Sequence, residues 1–184
     1  MIKSFENKTV IITGASAGVG AACARLFAGH KAKLVLVARG EAALNTIADE
    51  LRSQCEVLTV VMNVASNKDC LTLLEKAEAA FGAVHVIINN AGMHARGDLK
   101  TISPMDVAAM VDINMRAPLL LSCAAIPYLQ RAGEGAIVNV GSLAGRAPLQ
   151  GAATYSATKA GLRAFSYALA DELRDSGISV GSVS

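Results

Sequence analysis

The 184-residue chain is the size of one domain and can bury a substantial core. Hydrophobic residues make up 53% and charged residues 17%, which argues against a disordered or extended interaction module. The net charge is +2 with no dense Lys/Arg run, so nucleic-acid binding has no electrostatic footprint here.

Short runs rich in Val and Ile alternate with longer helical patterns. The runs at 9–13, 33–38, 56–62, 84–89, 136–141 and 178–183 are nearly continuous in apolar residues, as strands covered on both faces require. Helices are predicted at 18–29, 41–53, 67–81, 104–115, 118–131 and 153–175. Such alternation implies parallel strands with right-handed crossovers. The expectation is one doubly wound α/β domain over residues 1–184, with helices on both sides of the sheet. Gly29, Gly82 and Gly177 punctuate helix ends, Pro118 suits a first helical turn, and Pro127 is expected to kink its helix.

The segment 117–129 is the longest mainly apolar stretch. It is too short by itself to span a bilayer. The N-terminal segment is polar before its first apolar run, unlike a secretory signal. Cys23, Cys55, Cys70 and Cys123 form no CxxC pair and no cluster with ligand spacing, so they read as reduced thiols with no metal site. A soluble, cytoplasmic protein is expected.

The first strand runs into TGASAGVG, with glycines at 14, 18 and 20. Lacking a Cβ, they let backbone N–H groups approach a phosphate at the positive end of a helix. Glycines serving only a tight strand-to-helix turn are the alternative. The second strand ends at Ala38-Arg39 with no carboxylate. A carboxylate there would hold the ribose hydroxyls of NAD, whereas an arginine pairs with a 2′-phosphate, so NADP(H) is favoured over NAD(H). A solvated arginine opening the next helix competes with that reading. Asn63 and the Asn89-Asn90-Ala91-Gly92 run close two further strands, and Ser142 follows the fifth. Singly, each asparagine reads as a turn residue, and Asn114 between two helical segments reads as a cap. Gly14, Arg39, Asn63, Asn90 and Ser142 all fall just past the C-terminal ends of strands, the edge of a parallel sheet where ligands bind in open α/β folds. Tyr155 and Lys159 lie four apart, on one face of a helix.

This ordered set resembles the short-chain dehydrogenase/reductase family, a Rossmann fold of three αβα layers, across residues 8 to 184. The carriers are TGASAGVG, NNAG, Asn114, Ser142 thirteen residues before Tyr155, and YSATK. The resemblance implies hydride transfer between a nicotinamide and a carbonyl/alcohol pair. Tyr155 would be general acid or base, and Lys159 would lower its pKa and hold the ribose. Ser142 would bond the substrate carbonyl, and Asn114 would support a proton relay. Moving a phenol from about 10 toward neutrality takes about 4 kcal/mol of differential stabilisation. Gly14, Ser16, Gly18, Val19 and Gly20 would wrap the phosphates and adjoining ribose, and Arg39 would meet the 2′-phosphate. Asn63 and Val64 would contact adenine, with Asn90, Ala91 and Gly92 beneath the cofactor.

Three departures stand out. Asn63 replaces a common aspartate, and Gly141 a frequent serine. The chain stops at SVGSVS, where the family continues into a substrate-binding segment, so a C-terminally incomplete fold with an open sixth strand is expected. A non-catalytic or fragmentary nucleotide-binding protein is the alternative function, and an isomerase or dehydratase a third. Ala157, Ala160, Gly161, Ala164 and Ala168 permit close helix approach. The resemblance implies a homodimer or homotetramer through helices 118–131 and 153–175.

Overall fold

The computed structural model describes residues 2–184. One six-stranded sheet is built from β1 (Thr9–Thr13), β2 (Lys33–Ala38), β3 (Val57–Val61), β4 (Val86–Asn89), β5 (Gly135–Val140) and β6 (Ile178–Val183). Its order is β3-β2-β1-β4-β5-β6, and every pairing is parallel. The order reverses between β1 and β4, and this switch point opens a crevice at the C-terminal ends of the strands.

The period-two pleat explains the continuous apolar runs. On β1, Val10 and Ile12 face α1 (Gly18–Gly29) and α2 (Glu41–Leu51), while Ile11 faces the opposite layer. That layer is formed by α3 (Asn67–Phe81), α5 (Ala117–Arg131) and α6 (Ala153–Glu172). All five residues of β1 are buried, as befits a central strand. The outer strands are β3 and β6. On the α1/α2 side, Ala136, Val138 and Val140 of β5 are only half-buried, and Ser179, Gly181 and Val183 of β6 are exposed.

The elements match the sequence expectation to within one to three residues at most ends, with one instructive exception. Residues 104–131 form one continuous helical run: α4 (Pro104–Val111), a π-helical turn (Asp112–Arg116) and α5. Asn114 is therefore not a cap between separate helices. It lies inside the π turn, a feature that often marks functional sites. The apolar stretch 117–129 is thus part of a 28-residue run that is long and apolar enough to cross a membrane. Ile113, Ala117, Leu121, Ala125 and Leu129 instead join the core of this fold, which accounts for the apolarity. Pro127 is on the exposed side, and the helix continues through it. The left-handed residue after α1 is Lys31, not Gly29, whereas Gly82 and Gly177 do take positive φ.

Candidate active site and cofactor cleft

The first turn is shaped by contact rather than by composition alone. Gly14 has φ +68°, and a Cβ there would sit 2.9 Å from the Asn90 amide nitrogen and 3.0 Å from Ala91 Cα. A Cβ on buried Gly20 would lie 2.2 Å from the Gly14 carbonyl oxygen. These two glycines let the turn fold onto itself. Gly18, at φ +54°, has open space where its Cβ would be. Ala17 caps α1 without any side-chain hydrogen bond, so the first N–H groups of the helix face the turn without a side-chain acceptor.

Thr13 is the hub of this turn, a role the sequence reading passed over. Its hydroxyl donates to Ile88 O (3.3 Å) and accepts from the N–H groups of Asn90 and Ala91 (3.0 Å each). The Asn90 amide donates to Thr13 O (2.9 Å) and Gly14 O (3.1 Å). Asn90 therefore clamps β4 to the glycine turn, while Ala91 and Gly92 face the cleft.

That cleft has a volume of about 200 Å³. Gly14, Ser16, Arg39, Asn63, Val64, Ala91 and Gly92 line it, together with Met62 and Ile113, which no motif signalled. Val19 is exposed, and Gly18 and Gly20 shape the turn rather than the cleft wall. Arg39 is exposed and has no ion pair among the described residues. The Asn63 carbonyl oxygen of the side chain accepts from Ala65 N (3.0 Å), so its amide end remains free to face a ligand.

The second half of the site meets the end of β5. Ser142 caps a short turn, Leu143–Gly145, by accepting from Ala144 N at 3.2 Å. Its own hydroxyl hydrogen is left to donate. Gly145 lets this turn lie directly on α6, since a Cβ would be 2.7 Å from the Lys159 carbonyl carbon. Lys159 is 5% exposed and donates to Val140 O at 2.7 Å. Burial pushes its ammonium below the ordinary lysine value. Its Nζ lies 5.9 Å from the centre of the Tyr155 ring and 4.0 Å from where a Gly92 Cβ would stand. The tyrosine–lysine pair thus adjoins the cleft's Gly92 wall.

Asn114, 1% exposed, is held from both ends. Its Oδ1 accepts from Met93 N and its Nδ2 donates to Met93 O, both at 2.7 Å, with Thr158 Oγ1 at 3.4 Å. The π turn thereby pins the segment after β4 to α6. One residue further, the His94 ring stacks on Tyr155 at 4.1 Å between centroids and 18° between planes. Behind the site, Asn89 donates to Asn139 (2.8 Å) and Ser122 (3.2 Å), and Asn139 donates to Ser166 (2.9 Å), tying β4, β5, α5 and α6 through buried amides.

A doubly wound sheet with a glycine turn at its switch point defines the dinucleotide-binding class. Comparison with known proteins narrows that. The profile described as short chain dehydrogenase matches residues 8–184, and the chain belongs to this family. An uncharacterized oxidoreductase of Staphylococcus epidermidis is 33% identical over 97% of this chain and 77% of its own length. Sulfoacetaldehyde reductase 2 of Chromohalobacter salexigens is 36% identical over 95% of this chain and 70% of its own. Among solved structures, a metagenomic short-chain oxidoreductase in complex with NADP superposes with a TM-score of 0.92 at 32% identity, covering 98% of this chain and 81% of that one. The protein is an oxidoreductase of the short-chain dehydrogenase family with a nicotinamide-cofactor fold.

Proposed function

We propose that the protein transfers hydride between NADP(H) and a small carbonyl/alcohol substrate, with Tyr155 as general acid in reduction and general base in oxidation. The observation that carries this is the placement of Lys159. Its Nζ, fixed by Val140 O, stands beside both the Tyr155 ring and the Gly92 edge of the cleft.

The cleft residues fit a dinucleotide. Gly14, Ser16 and the first N–H groups of α1 would hold the phosphates, with Gly18, Val19 and Gly20 forming the turn around them. Asn63 and Val64 would meet adenine, and Ala91 and Gly92 the ribose on the nicotinamide side. The bound nicotinamide supplies or accepts the hydride. Lys159 spends one of its three donors on Val140 O and keeps two for ribose hydroxyls. Ser142, with its hydroxyl hydrogen uncommitted, would orient the substrate carbonyl toward the Tyr155 phenol. Asn114 would support the proton relay, its side chain holding the Met93 backbone and donating to Thr158, the residue before Lys159.

The preference for NADP(H) rests on Arg39, exposed at the cleft with no carboxylate at the end of β2. The solved relative that holds NADP supports the same choice. Self-association through α5 and α6 is part of the reading, because Ala157, Ala160, Ala164 and Ala168 are all exposed on α6.

The test is a fluorescence titration with NADPH and NADH, followed by turnover of acetaldehyde, benzaldehyde, glycolaldehyde and sulfoacetaldehyde. Tighter NADPH binding and oxidation of NADPH by at least one aldehyde support the proposal. NADH preference removes the Arg39 part, and binding without turnover of any of the four removes the reaction.

A further inference from the structure

We propose that His94 is a positioning residue for Tyr155, holding the phenol in its reactive orientation through the ring stack. This rests on the acid–base reading of Tyr155 given above.

The geometry is unusual for an exposed loop side chain. The two rings lie nearly parallel at 4.1 Å, close enough for full face contact. A tyrosine ring on a helix is otherwise free to turn about its two side-chain torsions. Lys159 constrains it only from 5.9 Å away, and no hydrogen bond from another described residue fixes the Tyr155 hydroxyl. The histidine is the group in direct contact with the face of the phenol.

The loop that carries His94 is fixed on both sides. Met93 is gripped through its N–H and its carbonyl by the Asn114 side chain at 2.7 Å. Gly97 N donates to Gly151 O at 2.9 Å, joining this loop to the one that leads into α6. Asn114 thus acts on the phenol at two removes: its side chain holds Met93, Met93 places His94, and His94 braces Tyr155. In a reaction that works by aligning a proton donor with a carbonyl, loosening the donor costs turnover without weakening cofactor binding.

The experiment compares His94→Ala, His94→Phe and Tyr155→Phe with the wild type. Nuclear magnetic resonance of ring-labelled tyrosine reads the stack directly. The chain has three tyrosines, and the Tyr155 signals are those missing from Tyr155→Phe. In the wild type they lie upfield, shielded by the imidazole. They move downfield in His94→Ala and stay upfield in His94→Phe. On the fastest of the four aldehydes, kcat falls roughly three- to tenfold in His94→Ala, with NADPH affinity unchanged. A flat ring restores it in His94→Phe. Tyr155 signals that ignore His94→Ala, unchanged kcat in His94→Ala, or no rescue by His94→Phe each overturn the inference while leaving the acid–base reading standing. Full turnover by Tyr155→Phe overturns that reading, and the inference with it.

Discussion

The glycine turn at residues 13–20 and the proposed catalytic face, residues 142–159 with Asn114, solve opposite problems. The turn works by leaving atoms out. A Cβ at Gly20 would collide with the Gly14 backbone and one at Gly14 with the Asn90 side chain, so the shape of the turn and its packing rest on the same contacts. The catalytic face works by putting costly atoms in. It buries an ammonium at Lys159 and an amide at Asn114, held by hydrogen bonds that other residues could do without. Damage to the turn should therefore cost stability and binding together, whereas loss of the Tyr155 hydroxyl should cost turnover with binding retained.

The largest effect expected is on turnover. Tyr155→Phe removes the proton donor and should lower kcat by about 10²–10⁴-fold in steady-state assays, with NADPH binding retained. Lys159→Met sharpens the contrast further. The folded protein disfavours the charged lysine, so its pKa lies below the unfolded value. The stability linked to that shift is complete only above the unfolded lysine value and is lost as pH falls through the folded one. Below the folded value the burial penalty stands in full. The variant should be inactive, yet unfold in urea at a midpoint no lower than the wild type. A clearly lower midpoint would mean that the bond to Val140 O outweighs the cost of burial.

On the other side of the comparison, Gly20→Ala should destabilise by about 1–3 kcal/mol through overpacking and weaken NADPH binding in parallel. Calorimetry and fluorescence titration on the same sample would show whether the two losses travel together. Arg39→Ala should be milder and selective. Losing one charge-assisted contact should weaken NADPH roughly tenfold or more and leave NADH unchanged, which paired titrations would reveal.

The smallest effect concerns the opposite edge of the sheet. His85 Nδ1 accepts from Thr9 N at 3.1 Å, which requires the neutral ring. Burial, then the nearby Lys8, hold its pKa below the ordinary histidine value, with Glu134 opposing. The neutral form is favoured on folding, so this stability is complete above the unfolded value of about 6.5 and declines as pH falls toward the folded one. Glu134, whose pKa is lowered chiefly by its bond to Lys8, loses its own contribution only in the more acidic carboxylate range. Urea midpoints should therefore drop modestly from pH 7.5 to 5.5, and His85→Asn should flatten the slope.

The same contrast explains what could be read before the structure. Strands were legible because burial on both faces leaves unbroken Val/Ile runs, and β1, β2 and β6 fall where those runs do. The four residues proposed as catalytic could be named beforehand because type and order mark them. Roles set by long-range contact were not. The Asn90 amide bonds to the Thr13 and Gly14 carbonyls some 76–77 residues away, a partnership its own neighbourhood does not announce. The π turn left no trace, because residues 104–131 read as two helical patterns whose junction has no distinctive composition. Thr13 could have been noticed as the first residue of the glycine motif, and His94 as a histidine two residues after NNAG. Nothing in either neighbourhood announces the Ile88, Ala91 or Tyr155 partner.

The most direct test of the central claim is deuterium transfer from NADPH labelled at nicotinamide C4, with product analysed by mass spectrometry for the wild type and Tyr155→Phe. The account predicts label on the carbinol carbon of an aldehyde product with the wild type. It predicts at least about a hundredfold less with the variant, which still binds NADPH. Equal transfer by both proteins, or none by a wild type that binds NADPH, would contradict it.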